Sequence, residues 1–260
     1  MAMLFTKWCS KSKTSDGIKS LWRFVEAVGG RTTIMPELAE TVSSHYASDA
    51  EVADWIEHLG YDSAAASLRE LLPEGPTGKS ADLGEILAAE LIEEQLGYSV
   101  PIKKLRDKDH REMAMRGEDV IGVAYDEKSQ FCLLKGESKS ARSLAEVTIK
   151  DARAGLEKYG GRPSPHSMIF IGRRLLKSEE EDEIELGADL MSEATHRSVP
   201  KSRIAHYMFT MSGNPATEAI DSDFKTADGS REQYAVNLRI PDHGDFVATV
   251  YDEVSKLEIG

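Results

Sequence analysis

The stretch that decides the fold is GEDVIGVAYDEKSQFCLLKGESK, residues 117–139, in which two apolar runs flank a short polar segment. The runs at 119–125 and 131–139 have the length and composition of strands. The polar DEKSQ segment between them, at 126–130, is typical of a hairpin loop. The pattern therefore predicts two neighbouring antiparallel strands.

Three polar residues lie at the open end of this predicted hairpin. Because side chains alternate between the two faces of a strand, Glu137 and Lys139 project from the same side. Asp119 begins the other strand, and a regular hairpin places it beside the end of the second one. The sequence thus predicts an aspartate, a glutamate and a lysine close together at one end of a sheet.

This set of residue types suits hydrolysis of a phosphodiester bond. The carboxylates of Asp119 and Glu137 are hard oxygen ligands of the kind that Mg²⁺ prefers, with Mn²⁺ as the alternative. The metal ion would stabilise negative charge and lower the pKa of an attacking water. The ammonium of Lys139 would offset charge on the phosphate or orient the water. We therefore predict Asp119 and Glu137 as metal ligands and Lys139 as a catalytic residue.

A third acid is predicted on the helix that precedes the hairpin, at 83–96. On a helical wheel, Glu85 shares a face with three apolar residues, whereas Glu90 and Glu94 share a different face. An acid on an apolar face is costly unless it is paired or bound to metal. We therefore predict Glu85 as the third catalytic acid and metal ligand, with Glu90 as the reserve candidate.

Each of these residues also has an ordinary structural explanation. Glu and Lys on an edge strand are common solvated residues that prevent aggregation. Asp119 could form a turn after a glycine, and Glu85 could be a first-turn acid that the helix dipole favours. The conjunction of a helix glutamate, a hairpin and a strand that ends in Glu-x-Lys favours the catalytic interpretation.

The order of the other predicted elements indicates a mixed α/β protein. Residues 16–72 are predicted as mainly helical, partly because Ile18, Leu21, Trp22 and Val25 follow helical spacing. Further helices are predicted at 143–159 and 179–193, strands at 167–172, 203–211 and 234–240, and either type of element at 245–257.

The segment PEGPTGKS at 73–80 is predicted to be a linker. Its Gly78-Lys79-Ser80 matches the end of a phosphate-binding loop, but Pro73 stands where that loop needs its first glycine. The linker divides the chain into two predicted units, residues 1–78 and residues 79–260.

Taken alone, the net charge of −13 argues against a nucleic-acid enzyme, but the charge is unevenly distributed. Residues 178–260 carry 7 basic and 18 acidic groups, whereas residues 81–177 carry 17 and 16. The middle of the chain can therefore tolerate an anionic substrate. Weak binding of free DNA is expected from such a chain, so that a partner would deliver the DNA.

Two further features of the sequence concern the compartment of the protein. No run approaches the roughly 18 apolar residues that span a bilayer. Cys9 and Cys132 are far apart in the sequence and form no disulfide framework. We therefore predict a cytoplasmic protein that does not associate with membranes.

Two segments resemble the PD-(D/E)xK nuclease superfamily. They are LGEILAAELIEEQLGYSV at 83–100 and RGEDVIGVAYDEKSQFCLLKGESKS at 116–140. By position, Glu85 corresponds to the helix glutamate and Asp119 to the motif aspartate, although Glu118 stands where the motif has proline. Glu137 and Lys139 correspond to the (D/E)xK pair.

More narrowly, the KGESKS core and the terminal LRIPDHGDFVATVYDEV make residues 80–257 similar to the HamA family, the nuclease subunit of the Hachiman anti-phage defence system. This resemblance implies a restriction-endonuclease-like core, a central mixed sheet flanked by helices, with residues 1–78 as an appended helical region. It also implies DNA as the substrate and a HamB-like helicase as the partner. The alternatives are a non-catalytic adaptor that binds a helicase and a stand-alone restriction or repair nuclease.

Overall fold

A computed structural model describes residues 3–113 and 116–257. Its centre is a mixed sheet whose six strands have the spatial order β1-β2-β6-β5-β4-β3. The strands β2, β6, β5 and β4 run parallel, and the hairpins β1–β2 and β3–β4 add an antiparallel strand at each edge. The strands are β1 Cys9–Asp16, β2 Lys19–Glu26, β3 Val120–Tyr125, β4 Phe131–Ala141, β5 Ile204–Ser212 and β6 Gln233–Arg239.

Helices flank the sheet on both faces. One face carries α1, α2, α5 and α10, and the other carries α6 and α9, while α7 and α8 pack together beside β3 and β4. The helices are α1 Leu4–Trp8, α2 Gly30–Ser44, α3 Asp49–Leu59, α4 Tyr61–Leu71, α5 Pro76–Gln95, α6 Glu146–Gly161, α7 Pro165–Leu175, α8 Glu181–His196, α9 Thr217–Thr226 and α10 His243–Lys256. The predicted α/β class with a mixed sheet flanked by helices is thereby confirmed.

The predicted helix around Leu21 is wrong, because residues 19–26 form the strand β2. This strand pairs with β1 and β6, and each of its faces contributes a core residue: Phe24 belongs to the core beneath α1, and Leu21 packs with α6 and α9. Val25, which the helical pattern placed on a buried stripe, is 41% exposed. Residues before position 78 therefore contribute two strands to the central sheet and do not form a purely helical region. The boundary at position 78 itself stays a prediction.

The predicted linker at 73–80 is wrong in its second half. α5 begins at Pro76, which occupies the first turn, where a missing backbone N–H costs nothing. Residues 78–80 are therefore helical, and the sequence match to a phosphate-binding loop does not correspond to a loop. Only the short connection at 72–75 separates α4 from α5.

The predicted strand at 167–172 is also wrong, because this apolar run lies inside α7. Ser164 caps the helix by accepting a hydrogen bond from the backbone N–H of Ser167, and Pro165 follows it at the first helical position. The buried residues Met168, Ile171 and Leu175 follow helical spacing. The strands predicted at 203–211 and 234–240 are confirmed as β5 and β6, and the segment left open at 245–257 is helical up to Lys256.

Within the described residues, no helix has both the length and the apolar character needed to cross a bilayer.

A pair of substitutions tests the position of β2 in the sheet. Phe24→Ala should lower the free energy of unfolding by about 3–5 kcal/mol, because it leaves a cavity in the core. Val25→Ala should change it by less than about 1 kcal/mol, because this side chain is largely solvated. Denaturant unfolding of the full chain measures both values. If this segment were an amphipathic helix with Val25 on its buried face, Val25→Ala would lower the free energy of unfolding more than Phe24→Ala does.

Candidate active site

The β3–β4 hairpin brings the predicted aspartate next to the end of β4. Val120 pairs with Gly136, so Asp119, one residue earlier, lies beside the last part of β4. There its Oδ2 accepts a hydrogen bond of 2.8 Å from the backbone N–H of Ser138. The polar loop at 126–130 closes the other end of the hairpin, as predicted.

Glu137 and Lys139 meet Asp119 at this point. The Nζ atom of Lys139 lies 3.3 Å from Oε2 of Glu137 and 3.9 Å from Oδ2 of Asp119. Burial, followed by the negative charge of Asp119, raises the pKa of Glu137 above its ordinary value. The structure thus assembles the three residues that the hairpin pattern predicted, with two carboxylates close enough to repel each other.

The carboxylate of Glu137 also packs directly against α6. A Cβ atom placed on Gly155 would lie 2.6 Å from Cδ of Glu137, which is closer than real Cβ contacts come. Only glycine at this position lets α6 approach β4 while the glutamate keeps its place. Gly155 was not singled out from the sequence, because its role depends on how a helix packs across the sheet.

Of the two helix glutamates, Glu85 and not Glu90 lies near Asp119. Burial raises the pKa of Glu85 from 4.5 to about 7, the Asp119 charge adds to the rise, and Lys104, whose Nζ lies 3.6 Å away, opposes it. Glu90 instead accepts a hydrogen bond of 2.7 Å from His45 and lies 3.7 Å from Lys103. The geometry therefore agrees with the choice of Glu85 over Glu90, while the catalytic role of Glu85 stays a prediction.

A cavity of about 410 Å³ opens beside Glu85 and Asp119, which form part of its wall. It lies between α5, β3, α7 and the connection at 100–118. Its cationic lining residues are Lys103, Lys104, Lys108 and Arg116. Glu137 and Lys139 are not among the lining residues, and they reach Asp119 from beyond the cavity wall. The four predicted residues therefore form a chain of neighbours centred on Asp119, with the cavity at one end.

The residue before the aspartate has a structural role that the sequence did not reveal. Glu118 is 5% exposed, and its carboxylate accepts hydrogen bonds from Ser164 through the backbone N–H at 2.7 Å and the hydroxyl at 2.9 Å. A carboxylate at the start of α7 also interacts favourably with the helix dipole. This buried acid fixes α7 beside the site.

A second lysine of β4 was also missed. Lys135 is buried, lies 3.7 Å from Glu118 and donates a hydrogen bond of 2.9 Å to the carbonyl oxygen of Lys158. It alternates with Glu137 and Lys139 in the pattern Lys-x-Glu-x-Lys, so strand periodicity could have placed it on their face. Its charge contributes to the positive environment of Glu137.

In the ranges 3–113 and 116–257, no group of three His, Cys, Asp or Glu side chains converges closely enough to hold a metal ion. The site instead offers the adjacent pair Asp119 and Glu137, with Glu85 near Asp119 on the other side. The Mg²⁺ site with Asp119, Glu137 and Glu85 as its ligands therefore stays a prediction.

The fold and the site together define an α/β protein whose mixed sheet is compatible with a nuclease-like core. Comparison with known proteins places it more narrowly: a model of the HamA family matches residues 3–254, which is nearly the whole chain. A protein of Bacillus cereus described as Hachiman protein HamA is 20% identical over 255 residues, which cover 95% of this chain and 89% of that protein. The chain belongs to the HamA family of Hachiman anti-phage defence.

The burial of Glu85 predicts a pH-dependent effect of Glu85→Gln on stability. The folded-state pKa of about 7 lies above the ordinary 4.5, so the folded wild type loses stability as the pH rises between these values. Because glutamine cannot ionise, the variant should be more stable than wild type at pH 8, on the order of 3 kcal/mol, and equal to it at pH 4.

Denaturant unfolding at both pH values, in a buffer with EDTA, measures this difference. Glu157→Gln, which removes an exposed carboxylate on α6, is the control and should show no such dependence on pH. A Glu85→Gln variant that is equally or less stable than wild type at pH 8 would contradict the placement of an ionisable group at this buried position.

Proposed function

We propose that this chain is a Mg²⁺-dependent DNA nuclease that acts within an anti-phage defence complex, together with a HamB-like helicase. The observation that carries the proposal is the convergence of Asp119, Glu137 and Lys139 at the end of β4. Membership of the HamA family supports the defence role. The adjacent cavity, with its acidic wall and cationic lining residues, supports a phosphodiester as the substrate.

The donor set at the site fits Mg²⁺. This ion keeps several of its waters and is often held by one or two carboxylates together with substrate phosphates, so a cage of three protein ligands is not required. Asp119 and Glu137 supply two carboxylates. Burial and then the charge of Asp119 raise the pKa of Glu137, and a divalent cation would relieve the repulsion between the two groups. Glu85 would assist from the side of the cavity. When bound, Mg²⁺ would neutralise charge on the phosphate and acidify the attacking water.

Two lysines hold the carboxylates in place. Lys139 lies within 4 Å of both Asp119 and Glu137, and its side chain is 30% exposed, so its ammonium is accessible to a phosphate at the surface of the site. Lys104 lies 3.6 Å from Glu85 and donates a hydrogen bond of 2.9 Å to the carbonyl oxygen of Glu118. In this arrangement Lys139 offsets the charge of the scissile phosphate, and Lys104 positions the wall of the cavity.

The cavity suggests how a DNA strand meets these groups. Its lining includes apolar side chains such as Ile86 and Phe170, together with the lysines of the connection at 100–118. Apolar surface favours contact with bases, and ammonium groups favour contact with phosphates. A single strand that passes over Asp119 could therefore place a nucleotide in the cavity and its phosphate at the carboxylates.

A double substitution tests the proposed activity. Glu137→Ala combined with Lys139→Ala should lower DNA degradation by at least about a hundredfold, because it removes one metal ligand and the ammonium group. The assay uses the chain co-purified with its helicase partner, together with ATP, Mg²⁺ and linear DNA. Degradation by the wild-type complex should stop when EDTA replaces Mg²⁺.

The matched control is Glu127→Ala with Lys128→Ala, which removes the same two residue types from the exposed hairpin loop at the other end of β4. This control should degrade DNA as wild type does, and circular dichroism should show that both double variants are folded. Equal degradation by the Glu137/Lys139 variant and wild type would refute the site. A wild-type complex that forms but never degrades DNA would indicate the non-catalytic adaptor instead.

A further inference from the structure

The connection between α5 and β3 forms one wall of the cavity beside Glu85. Its central part, which we call the strap, is KKLRDKDHRE at 103–112. The regular structure of the strap is one 3-10 turn at Lys104–Asp107, and Leu105 is its only apolar residue. Long irregular connections are uncommon in compact domains and often have a function. Because it has so little apolar surface, the strap is held mainly by polar contacts, which are contacts that a phosphate can also make.

The strap is fixed at one point and only loosely held at another. Nζ of Lys108 lies 2.9 Å and 2.7 Å from the two carboxylate oxygens of Asp82, and both side chains are 6% exposed. Leu105 is buried in the core. Nζ of Lys104, in contrast, lies 3.6 Å from Oε2 of Glu85, beyond hydrogen-bond distance, and both side chains are 16% exposed. The Lys104 side chain can therefore move while the backbone of the strap stays in place.

The ammonium of Lys104 lies where several oxygen atoms meet. Besides its ion pair with Glu85, it donates a hydrogen bond of 2.9 Å to the carbonyl oxygen of Glu118, the residue before Asp119. Carboxylate and carbonyl oxygens are the kinds of ligand that bind divalent cations. The ammonium thus neutralises a carboxylate that a metal ion would use, and its own charge repels a divalent cation at the same place.

A phosphate group can change the outcome of this competition. Lys104 lines the cavity together with Glu85 and Asp119, so a phosphate that enters the cavity comes within reach of the ammonium. Lysine carries its charge on a flexible four-carbon side chain, and it can exchange a carboxylate partner for a phosphate without any movement of the backbone. Once the ammonium pairs with a phosphate, the Glu85 carboxylate is available to another cation.

We propose that Lys104 is a built-in counter-ion that occupies Glu85 in the free protein and moves to a phosphate of bound DNA, which makes Glu85 available to the divalent metal ion. The inference rests on the proposed nuclease function, because metal and DNA must meet at this site. Each ligand alone has to separate Lys104 from Glu85, whereas together they share that cost, so each strengthens the binding of the other. The site therefore binds metal weakly until DNA arrives.

Metal binding by the full chain tests the first half of the proposal in the absence of DNA. EPR spectroscopy measures free Mn²⁺, which serves as the probe. Loss of Lys104 raises the pKa of Glu85 above its value of about 7, so the measurement is made at pH 8.5 under argon. Lys104→Gln should raise the Mn²⁺ affinity at least about tenfold, since a charge within 4–6 Å changes an ionic equilibrium by at least about this factor.

Lys103→Gln is the matched control. It removes the same charge from the neighbouring residue of the strap, which also lines the cavity but whose Nζ lies 3.7 Å from Glu90. It should change the Mn²⁺ affinity by less than about twofold, because its charge acts on a different carboxylate. In a Glu85→Gln background, Lys104→Gln should lose its effect. If Lys104→Gln binds Mn²⁺ no better than Lys103→Gln does, Lys104 does not compete with the metal and the proposal fails.

Binding of a fluorescent 12-nucleotide single strand in EDTA tests the second half. Lys104→Gln should weaken this binding and reduce the slope of log Kd against log salt by about 0.7, the value of one lost phosphate contact. Lys128→Gln, which removes an exposed charge from the hairpin loop at 126–130, should leave both values as in wild type. Unchanged DNA binding by Lys104→Gln would overturn the transfer of Lys104 to a phosphate.

The opposite signs of the two effects separate the proposal from a structural role of Lys104. A variant that is merely misfolded would bind both Mn²⁺ and DNA more weakly, whereas the proposal requires stronger binding of Mn²⁺ and weaker binding of DNA. Thermal unfolding of each variant shows whether it is folded.

The proposed nuclease activity is tested separately, by DNA degradation with the helicase partner. A complex that degrades DNA although its Lys104→Gln chain binds Mn²⁺ as wild type does would refute only the counter-ion. A complex that never degrades DNA although its Lys104→Gln chain gains affinity for Mn²⁺ would refute only the nuclease.

Discussion

The hydrogen bond from the backbone N–H of Ser138 to the Asp119 carboxylate is the contact on which the candidate site depends. It exists because β3 and β4 pair in one register, with Val120 opposite Gly136. A slip by one residue would turn Glu137 to the other face of the sheet. Gly136 helps to fix this register, because a Cβ atom there would lie 2.6 Å from Cγ1 of Val120. The local pairing of two strands thus determines which side chains face Asp119.

The helices around the hairpin hold the same arrangement by close contacts. α6 approaches β4 at Gly155 against the Glu137 carboxylate, and Glu118 fixes the start of α7. α5 approaches from the opposite face of the sheet, where a Cβ atom on Gly84 would lie 3.0 Å from Oγ of Ser138. Because the residue after Gly84 is Glu85, this close approach also brings the helix glutamate toward Asp119. The site is therefore a product of packing on both faces of β4.

The sequence allowed the hairpin and its three polar residues to be predicted, because strand alternation and a polar loop are local signals. The helix glutamate could also be predicted, because a helical wheel places Glu85 and Glu90 on different faces of the helix. β2 was misjudged because Leu21 and Trp22 are apolar neighbours buried on opposite faces of the strand, so the apolar residues do not show the strict alternation that distinguishes a strand from a helix. The apolar run at 167–172 likewise fits either a helix or a strand, although Ser164 and Pro165 before it are typical of the start of a helix.

The contacts that could not be predicted join segments far apart in the chain. Lys104 meets Glu85 across a connection whose path no local pattern describes. Lys108 likewise bonds to the buried Asp82 at 2.7 Å, and the Tyr46 hydroxyl donates to the same carboxylate at 2.8 Å. α5 carries acidic residues and the connection at 100–118 carries basic ones. Ion pairs between them can be inferred only when the two segments are known to be neighbours. Such pairs become visible only when the tertiary structure is known.

These pairs also bear on the charge of the whole chain. The net charge of −13 repels DNA at long range, whereas the connection at 100–118 brings Lys103, Lys104, Lys108 and Arg116 to the cavity beside the carboxylates. Salt screens the long-range repulsion over about 8–10 Å, so a strand that is already at the site experiences mainly the mixed charges of the cavity lining, in which acidic side chains such as Glu85 and Asp119 stand beside the cations. Free DNA would therefore associate slowly, while DNA that a partner holds at the surface would bind. In the proposed complex, delivery of the DNA by a helicase would then be the step that controls cutting.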